Sequence, residues 1–414
     1  MKILKFGGTS VGNPDRMRAL IPLINDDDNK IVVLSAMSGT TNNLVEITSL
    51  LYSGEINKAS SRIEELRAKY EGVVNDLYAY EGTKQLGIDL INSHFEYILN
   101  FTLKTFTKIQ EKAILAQGEL ISTALFHLLL QENNIRSILL PALSFMRIDK
   151  YGEPDLFYIE EKLKRELENH TAEKIIITQG YICRDAFGEI DNLKRGGSDF
   201  SASLIGAAIN ADEIQIWTDI NGFHNNDPRY VKNTQVIREL SFDEAAELAY
   251  FGAKVIHPKT IKPLQNKSIL LWVRDFWHPE GTGTRIFDLK TIPPTGTVFI
   301  TKKNQLLISF QPRDFSFIVE DMISEIFAQL AKYRIKVNLM QHGAVSFSIC
   351  VTADMDRVNS LIQAMLPRFR ILYNSDLELV TIRRYNPQAI ERMTAGRRIM
   401  IQQLSRKTAR FVLA

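Results

Sequence analysis

The chain has 414 residues, a formal net charge of +2 at neutral pH and two cysteines. This length predicts two or more domains, and the near-neutral charge gives no reason to expect nucleic acid or a membrane surface as a general partner. Cys183 and Cys350 lie far apart, form no metal-binding pattern and suggest a reducing compartment. The first residues lack the long apolar stretch of a signal peptide, and no apolar run approaches the roughly 18 residues of a membrane span. We therefore expect a cytoplasmic, soluble protein.

A glycine turn follows the first predicted strand. Residues 3–4 form a short apolar run, the sequence KFGGTS comes next, and a helical pattern follows. Bare backbone N–H groups with a lysine beside them suit an anion, although the lysine precedes the glycines and the P-loop spacing is absent. We interpret the turn as a site for the terminal phosphates of a nucleotide, while a plain strand–turn–helix corner stays open as the alternative. The residues of this proposed site are Lys5, Gly7, Gly8, Thr9 and Ser10.

The same pattern then recurs. Residues 30–36 form a second predicted buried strand, and the sequence MSGTTN follows as a polar turn into a helix. Strands that alternate with helices indicate a parallel α/β sheet, in which ligands lie at the carboxyl ends of the strands. Both turns are therefore expected at one edge of the sheet.

Residues 55–133 are predicted to be helical, with an interruption at the sequence QGEL. An apolar stripe begins after it, and Glu119 stands at the start of that stripe. Considered alone, Glu119 is best explained as a carboxylate favoured by the positive end of a helix.

Two further strands are predicted at residues 137–143 and 174–182, and the second is almost continuously apolar, as expected of a strand buried on both faces. The sequence LKRGGSDFSA follows and leads into a helix. Arg195 alone could be a solvated charge, and Asp199 alone could be an N-terminal helix carboxylate. Two glycines, two adjacent cations and an aspartate exceed what a helix cap requires, so we favour a clamp for charged groups.

The next predicted strand, residues 213–217, is followed by the sequences TDING and NNDPR. Residues of these types are common in turns, so both sequences can be explained without a ligand. Their use in turns does not explain why both follow a buried strand at the edge of the sheet where ligands are expected. A helix over residues 241–252 begins with the capping-box sequence SFDE and ends at Gly252. Lys254 lies just beyond it, where a lysine often only complements the helix dipole.

The sequence changes character near residues 287–301, where two prolines and a glycine suggest a linker. From residue 305 the predicted elements follow the order βαββαβ, which is a ferredoxin-like plait. A last helix with strands is predicted over residues 389–414.

Together these motifs resemble the aspartate kinases, within the amino-acid kinase superfamily. The resemblance covers about residues 1–285, in the motifs KFGGTS, SAMSGTTN, GEL, ITQGYI, KRGGSDFSA, WTDINGF, DPR and FGAKVIHP. It implies a three-layer α/β fold with a mainly parallel central sheet, and the C-terminal plait is similar to the ACT regulatory module of those enzymes. The implied domains are a catalytic domain at 1–290, a linker at 291–303 and an ACT-type regulatory domain with a short extension at 304–414.

The resemblance also implies roles for individual residues. Lys5, which would neutralise the transferring phosphate, and Asp199 are the implied catalytic residues. The residues implied to bind aspartate are Thr41, Glu119, Tyr181, Arg195 and Ser198. The residues implied to bind ATP are Lys5, Gly7, Gly8, Thr9, Ser10, Thr218, Asp219, His224, Arg229 and Lys254. His224 departs from the family's pattern, so it either stacks on adenine or faces solvent.

The implied reaction is ATP-dependent phosphorylation of the side-chain carboxylate of L-aspartate to 4-phospho-L-aspartate, the first step towards lysine, threonine, methionine and isoleucine. That carboxylate, with a pKa of about 3.9, is already ionised at neutral pH, so no general base is required. The obstacle is repulsion from the phosphate chain, which Lys5, Lys254, helix N-termini and Mg²⁺ would offset. Phosphate oxygens and water would hold most of the Mg²⁺ coordination, so no dedicated protein ligands are expected.

Arg195 can grip the α-carboxylate of the substrate with two parallel hydrogen bonds, and Glu119 can accept from its α-ammonium. Asp321 and the pair Gly343-Ala344 stand where lysine-binding members of the family have a glycine and a Ser-Glu pair. We therefore hypothesise that feedback by lysine or threonine is weak or uses another site. ACT plaits bury sheet edges by pairing, so we expect a homodimer through this region.

Two alternatives stay open. The chain could be a non-catalytic ACT-containing regulatory subunit, or an amino-acid kinase with another carboxylate acceptor. The charges of Lys5, Arg195 and Asp199 argue against the first, because a non-catalytic chain has no reason to keep them in a buried cleft.

Overall fold

The computed structural model of the chain describes residues 1–103, 105–194, 196–227, 231, 233–253, 255–289 and 296–414. The chain divides into two compact units. The first comprises Met1–Phe223, Val236–Glu247 and Lys254–Pro293, and the second comprises His224–Gln235, Leu248–Ala253 and Pro294–Ala414. The predicted site residues Arg195, Arg229 and Lys254 and the start of the predicted linker lie outside the described residues.

The first unit is an α/β structure. Its strands are β1 (Lys2–Phe6), β2 (Lys30–Leu34), β3 (Ser137–Leu139), β4 (Ile175–Gln179), β5 (Ile182–Arg184), β6 (Ile190–Asn192), β7 (Glu213–Thr218), β8 (Glu239–Ser241), β9 (Leu270–Asp275) and β10 (Thr284–Phe287). Its helices are α1 (Pro14–Ile24), α2 (Thr40–Tyr52), α3 (Ile56–Leu77), α4 (Glu81–Leu99), α5 (Lys108–Glu132), α6 (Leu156–Glu168), α7 (Gly197–Ile209), α8 (Phe242–Phe251, whose last residues group with the second unit) and α9 (Ile261–Lys267).

Eight of these strands form one sheet in the order β3-β4-β2-β1-β7-β9-β10-β8. Neighbouring strands are parallel except for β9 and β10. The predicted mainly parallel central sheet is therefore confirmed. Because β1, β2, β4 and β7 run in the same direction, their carboxyl ends meet at one edge, where the loops of the predicted site begin.

Helices cover both faces of this sheet, as the predicted three-layer fold requires. On one face, Leu4, Val32 and Ile177 belong to a buried core with side chains of α1 to α5. On the other face α7 lies close to the strands, because a Cβ at Gly206 would come within 2.4 Å of Ile214 Cδ1. Central strands such as β2 and β4 are buried along their whole length, which is why apolar residues dominate their sequences, KIVVL and IIITQ.

Three predicted elements differ from the structure. The strand predicted over residues 137–143 ends at Leu139, and the one over residues 174–182 is divided into β4 and β5. The interruption predicted at QGEL is wrong, because α5 runs without a break from Lys108 to Glu132. A single glycine inside a helix costs only about 1 kcal/mol, which the burial of this helix outweighs.

Helix α5 is also the one element among the described residues that is long and apolar enough to cross a membrane. The helix has 25 residues, and its most apolar stretch has a mean hydropathy of 1.5. The expectation that no apolar segment approaches the length of a membrane span was therefore too strict. Because 78% of that stretch is buried inside the protein, α5 is accounted for as a core helix.

The second unit is built on one antiparallel sheet in the order β12-β13-β11-β14-β16-β15. Its strands are β11 (Val298–Pro312), β12 (Val337–His342), β13 (Phe347–Thr352), β14 (Phe369–Arg383), β15 (Ile399–Leu404) and β16 (Thr408–Leu413). Its helices are α10 (Glu320–Lys332), α11 (Met355–Met365) and α12 (Pro387–Thr394). The order from β11 to β14 is the predicted βαββαβ plait, which is confirmed.

The C-terminal residues complete this sheet and do not form a loose extension. Strands β11 and β14 have 15 residues each, and β16 continues the sheet from the second half of β14. Helix α12 packs there through Ala389 on a cluster that includes Val380 and Phe411. Strand β11 already begins at Val298, inside the segment predicted as a linker.

Candidate active site

The KFGGTS turn joins β1 to α1 at the carboxyl edge of the sheet. The carbonyl of Gly7 accepts the N–H of Ser10 at 2.9 Å, which closes the turn. Within the described residues, the N–H groups of Gly8 and Thr9 make no hydrogen bond, so they can bind an anion. Packing requires glycine at position 8, because a Cβ there would lie 2.9 Å from the carbonyl oxygen of Ala36 in the second turn.

An ion pair lies beside this turn. Lys5 Nζ is 2.6 Å from Asp199 Oδ1, and the two side chains are only 11% and 16% exposed. Asp199 stands in the first turn of α7, which follows Gly196 in a left-handed conformation with φ of +74°. Apart from the Lys5 ammonium, no group within the described residues pairs with Asp199 Oδ1. The sequence alone could not establish that these two charges face each other.

A cavity of about 800 Å³ opens at this ion pair. The predicted site residues that line it are Lys5, Gly8, Thr9, Thr41, Glu119, Tyr181, Ser198 and Asp199. Gly7 and Ser10 do not line it, and Ser10 is buried under the turn with a hydroxyl that has no partner within the described residues. Loops from the ends of β1, β2 and β4 thus meet the start of α7, as expected at the carboxyl edge of a parallel sheet.

Glu119 lies in the middle of α5 and not at a helix start. The residue is 3% exposed; its Oε1 accepts the Ala36 N–H at 3.3 Å, and its Oε2 has no partner within the described residues. Burial raises the pKa of Glu119 to about 8, although the Ala36 N–H opposes this shift. A buried carboxyl with a free oxygen in a cavity wall is suited to receive a cationic or hydrogen-bond-donating ligand.

Tyr181 stands between β4 and β5 in an unusual conformation. Its φ is +66°, and its N–H donates to Ser201 Oγ at 2.9 Å. The preceding Gly180 lets the segment lie against α7, since a Cβ there would be 2.5 Å from Ser198 Cβ. Burial and then the nearby Glu119 raise the pKa of the Tyr181 hydroxyl, which therefore stays a neutral hydrogen-bond donor. A non-glycine residue held in this region of φ often belongs to a functional site.

The sequence reasoning missed some polar residues that line the cavity, among them Glu111, Asn192 and Lys194. Lys194 has a φ of +62°, and its N–H donates to Asn192 Oδ1 at 3.1 Å. Part of the signal was present, because Lys194 is one of the two adjacent cations of the predicted clamp. Glu111 and Asn192 carry no local signal, since only the tertiary fold brings them to the cavity.

Two of the predicted nucleotide residues lie at the same sheet edge. Thr218 ends β7, which pairs with β1, and its hydroxyl donates to Asp219 Oδ1 at 3.1 Å. The loop reaches Gly222, where φ is +119° and a Cβ would be 2.3 Å from Thr284 Oγ1, so glycine is required. Thr218 and Asp219 therefore stand one strand away from Lys5.

Of the remaining predicted nucleotide residues beyond the turn, His224 lies within the described part of the chain. His224 groups with the second unit, its Nδ1 lies 2.7 Å from Thr234 Oγ1, and burial lowers its pKa. Arg229 and Lys254, like Arg195 of the substrate set, lie outside the described residues, so their roles stay predictions. The part of the chain that the structure describes contains no group of three His, Cys, Asp or Glu residues suited to a metal ion.

Known proteins resemble the chain in both sequence and fold. The amino acid kinase family matches residues 1–275. The chain is 30% identical over 393 residues to lysine-sensitive aspartokinase 3 of Escherichia coli (strain K12). The aligned region covers 92% of this chain and 86% of that protein. A crystal structure of E. coli aspartokinase III with lysine and aspartate matches with a TM-score of 0.84 and 27% identity, over 100% of this chain and 95% of that chain. A second crystal structure of the same E. coli protein, with aspartate and ADP, matches with a TM-score of 0.81 and 26% identity. This match covers 100% of this chain and 96% of that chain.

The chain therefore belongs to the amino acid kinase family. Within that family, the relatives that match it over most of its length are aspartokinases, and the predicted resemblance to the aspartate kinases is confirmed. The prediction that the chain is a kinase is confirmed with it.

Proposed function

We propose that the chain transfers the γ-phosphoryl group of ATP to the side-chain carboxylate of L-aspartate, which yields 4-phospho-L-aspartate and ADP. The observation that carries the proposal is the Lys5–Asp199 pair at 2.6 Å, set between the glycine turn and the cavity that contains Glu119. Aspartate kinase activity places the chain at the start of amino-acid biosynthesis from aspartate, towards lysine, threonine, methionine and isoleucine.

The chemistry needs charge compensation more than proton transfer. The attacking carboxylate of free aspartate, with a pKa of about 3.9, is ionised at neutral pH, so the barrier is its repulsion from the phosphate chain. Lys5, at the end of β1, places its ammonium where the two anions would meet. Asp199 holds that ammonium in position before substrates bind, and the N-terminus of α7 adds the positive end of a helix dipole.

Recognition of aspartate is assigned to other residues that line the same cavity. Glu119 would accept the α-ammonium through its free Oε2, and Thr41, Tyr181 and Ser198 would supply hydroxyl groups. Arg195 is proposed to hold the α-carboxylate with two hydrogen bonds. In this arrangement the α-ammonium has a carboxylate partner and the α-carboxylate a guanidinium partner, and the side-chain carboxylate is left free to approach Lys5.

ATP is proposed to bind across the glycine turn and the end of β7. The free N–H groups of Gly8 and Thr9 suit its phosphates, and Gly7 and Ser10 shape the turn. Thr218, Asp219, His224, Arg229 and Lys254 are the remaining proposed nucleotide contacts. When bound with ATP, Mg²⁺ reduces the negative charge of the phosphates; because phosphate oxygens and water can supply its ligands, the lack of a carboxylate cluster among the described residues fits it.

The second unit is proposed to be the regulatory, ACT-type domain, with the catalytic domain at residues 1–290. A homodimer through this region, a cytoplasmic location and weak or displaced feedback by lysine or threonine stay proposals. The E. coli relative is lysine-sensitive by name, so activity measured over millimolar lysine and threonine tests the last of these. Strong inhibition by lysine alone would contradict it.

The function is tested with a panel of acceptors. ADP release by the purified chain is followed in a coupled assay with aspartate, glutamate or N-acetylglutamate, each with MgATP. We expect release that depends on aspartate and is far slower with the other two. Equal or greater activity with glutamate or N-acetylglutamate would identify another amino-acid kinase, and no acceptor-dependent release would support a non-catalytic chain.

A further inference from the structure

Arg16, in the first turn of α1, is bound to the glycine turn. Its own N–H donates to Asn13 Oδ1 at 2.9 Å, which caps the helix and fixes the backbone of Arg16. From there the side chain runs back along the turn, and Nη1 donates to the carbonyl of Thr9 at 2.8 Å. Gly12 leaves room for this, because a Cβ there would lie 3.1 Å from Arg16 Nη1.

The second contact of Arg16 is an aromatic ring from a distant part of the chain. The guanidinium lies over the ring of Trp277, with Cζ 4.7 Å from the ring centroid. Trp277 stands in the loop that follows β9. Trp277 packs edge-on against Phe276, and Phe276 packs edge-on against Phe6 at the end of β1. Packed aromatic rings thus connect β1, the strand that carries Lys5, to the guanidinium of Arg16. Cation–π contacts of this kind favour a charged, planar group.

Arg16 differs from its neighbour Arg18 in how its charge is balanced. Arg18 pairs with Asp15 at 2.7 Å and donates to the carbonyls of Asp76 and Leu77. Arg16 has no ion pair within the described residues. Its positive charge is therefore not neutralised by a carboxylate, and it stands at the turn proposed to receive phosphates.

The contacts also immobilise one peptide of the turn. The peptide between Thr9 and Ser10 is held at both ends: its carbonyl accepts from Arg16, and its N–H donates to the carbonyl of Gly7. These two hydrogen bonds restrict the rotation of this peptide, and the peptide directly before it carries the N–H of Thr9, which has no partner within the described residues. Preorganised donors bind an anion without the cost of ordering the loop.

We propose that Arg16 is a positioning residue for the phosphate-binding turn: it clamps the Thr9 carbonyl against the Trp277 platform and adds an uncompensated positive charge beside the nucleotide phosphates. This inference rests on the proposed function, in which the turn binds ATP. It predicts that Arg16 governs the affinity for ATP and leaves the affinity for aspartate unchanged.

The test compares Arg16→Met, Arg16→Lys and the control Arg18→Met, which removes a guanidinium from the same helix. We expect Arg16→Met to raise the KM for MgATP about tenfold, the effect of losing one charge-assisted hydrogen bond, with the KM for aspartate within about twofold of wild type. Arg16→Lys keeps the charge and one donor and should recover most of the affinity. Arg18→Met should change neither constant.

The outcomes separate this inference from the proposed function. If the wild type shows aspartate-dependent activity but Arg16→Met has a normal KM for MgATP, the positioning role is wrong. It is also wrong if both KM values rise together and the thermal midpoint falls, because that pattern reports a general structural loss. A wild-type chain without aspartate-dependent activity would contradict the proposed function instead.

Discussion

Lys5 and Asp199 are the two residues whose contact the proposed chemistry uses most directly. Both are largely buried, and their charged atoms are 2.6 Å apart. Removing one member leaves the other as a buried charge without its partner, so each variant reports more than the loss of one contact. Substitutions of Lys5 therefore need a control on the same strand.

Lys5→Met is expected to lower kcat about 10²- to 10³-fold, the size of effect seen when one transition-state donor is lost, and to leave the KM for aspartate within about threefold. The physical reason is that the ammonium acts where carboxylate and phosphate meet and not where the α-ammonium of aspartate binds. Lys2→Met is the matched control, because Lys2 lies on β1 and pairs with Asp28 at 2.6 Å, at the opposite end of the strand. A kcat for Lys5→Met close to that of Lys2→Met would remove Lys5 from the mechanism.

Glu119 leads to a prediction about pH. Its pKa is raised from the ordinary 4.5 to about 8, so the free site holds a neutral carboxyl at pH 7. Binding an ammonium requires the ionised form, and the KM for aspartate should therefore fall as pH rises from 6 towards 8 and level off above that. Glu119→Gln should raise this KM and abolish its pH dependence. An equally steep dependence in Glu119→Gln would show that another group is responsible.

The same shift makes stability depend on pH, with the sign set by where the proton is bound. Between pH 4.5 and about 8 the folded chain keeps the proton that the unfolded chain loses. The stabilising contribution is complete below pH 4.5 and is lost as pH rises through about 8. Glu119→Gln should therefore flatten the fall in thermal midpoint between pH 5 and 8, measured without ligands, and an unchanged fall would contradict the assignment.

At the scale of single residues, the sequence located most of the site but not its geometry. Lys5 and Asp199 were singled out because each lies in a polar motif at a predicted strand–helix junction, whereas the resemblance assigned Thr41 and Ser198. Glu119 was found by resemblance only, and its local explanation was wrong because a mid-helix carboxyl looks the same in sequence as one at a helix start. Glu111 and Asn192 could not be found, since nothing local distinguishes them from surface polar residues.

At the scale of elements, Gly8 and Gly118 let the KFGGTS turn and α5 come close to Ala36, at the start of the turn that follows β2. A Cβ at Gly8 would be 2.9 Å from the Ala36 carbonyl, and a Cβ at Gly118 would be 2.9 Å from Ala36 Cβ. The glycine in QGEL is thus a close-contact position and not a helix break. Sequence periodicity could not reveal this, because it reports which face of a helix is apolar but not how near another backbone comes.

Gly8→Ala and Gly7→Ala form a matched pair that tests this packing. At Gly8 the added methyl meets a backbone carbonyl at 2.9 Å, whereas at Gly7 it meets the Lys5 ammonium at 3.3 Å, which can move. We expect Gly8→Ala to raise the KM for MgATP by about tenfold or more through displacement of the turn, and Gly7→Ala, which displaces only the Lys5 ammonium, to raise it less and to act chiefly on kcat. A larger rise in the KM for MgATP in Gly7→Ala than in Gly8→Ala would contradict this prediction. It would mean that ATP binding depends more on open space at Gly7 than on the close approach of the two turns at Gly8.

At the scale of the whole molecule, the first unit was predictable in outline because alternating strand and helix patterns leave few parallel topologies. The βαββαβ order of the second unit was also visible in the periodicity. What the sequence did not reveal is that β11 and β14 continue for 15 residues each and recruit β15 and β16. A register shift near residues 302–305 interrupts the alternation in β11, so the two halves of that strand do not look continuous.

Phe411 tests whether the C-terminal strands are part of the folded sheet. It is fully buried in the cluster under α12, so Phe411→Ala should destabilise the second unit by about 3–5 kcal/mol. Leu404, at the end of β15, is half exposed, and Leu404→Ala should change stability by less than about 0.5 kcal/mol. Urea unfolding of both variants checks this, and equal midpoints would show that the C-terminal strands contribute nothing to the core.

The proposed function requires that an acyl phosphate forms on the side-chain carboxylate of aspartate. Hydroxylamine converts such a mixed anhydride into a stable hydroxamate, which can be quantified directly. With MgATP and L-aspartate we predict aspartyl hydroxamate in step with ADP release, none without aspartate, and a rate lower by about 10²- to 10³-fold in Lys5→Met. ADP release without hydroxamate would contradict the proposed function, and hydroxamate formed at an undiminished rate in Lys5→Met would contradict the role of Lys5.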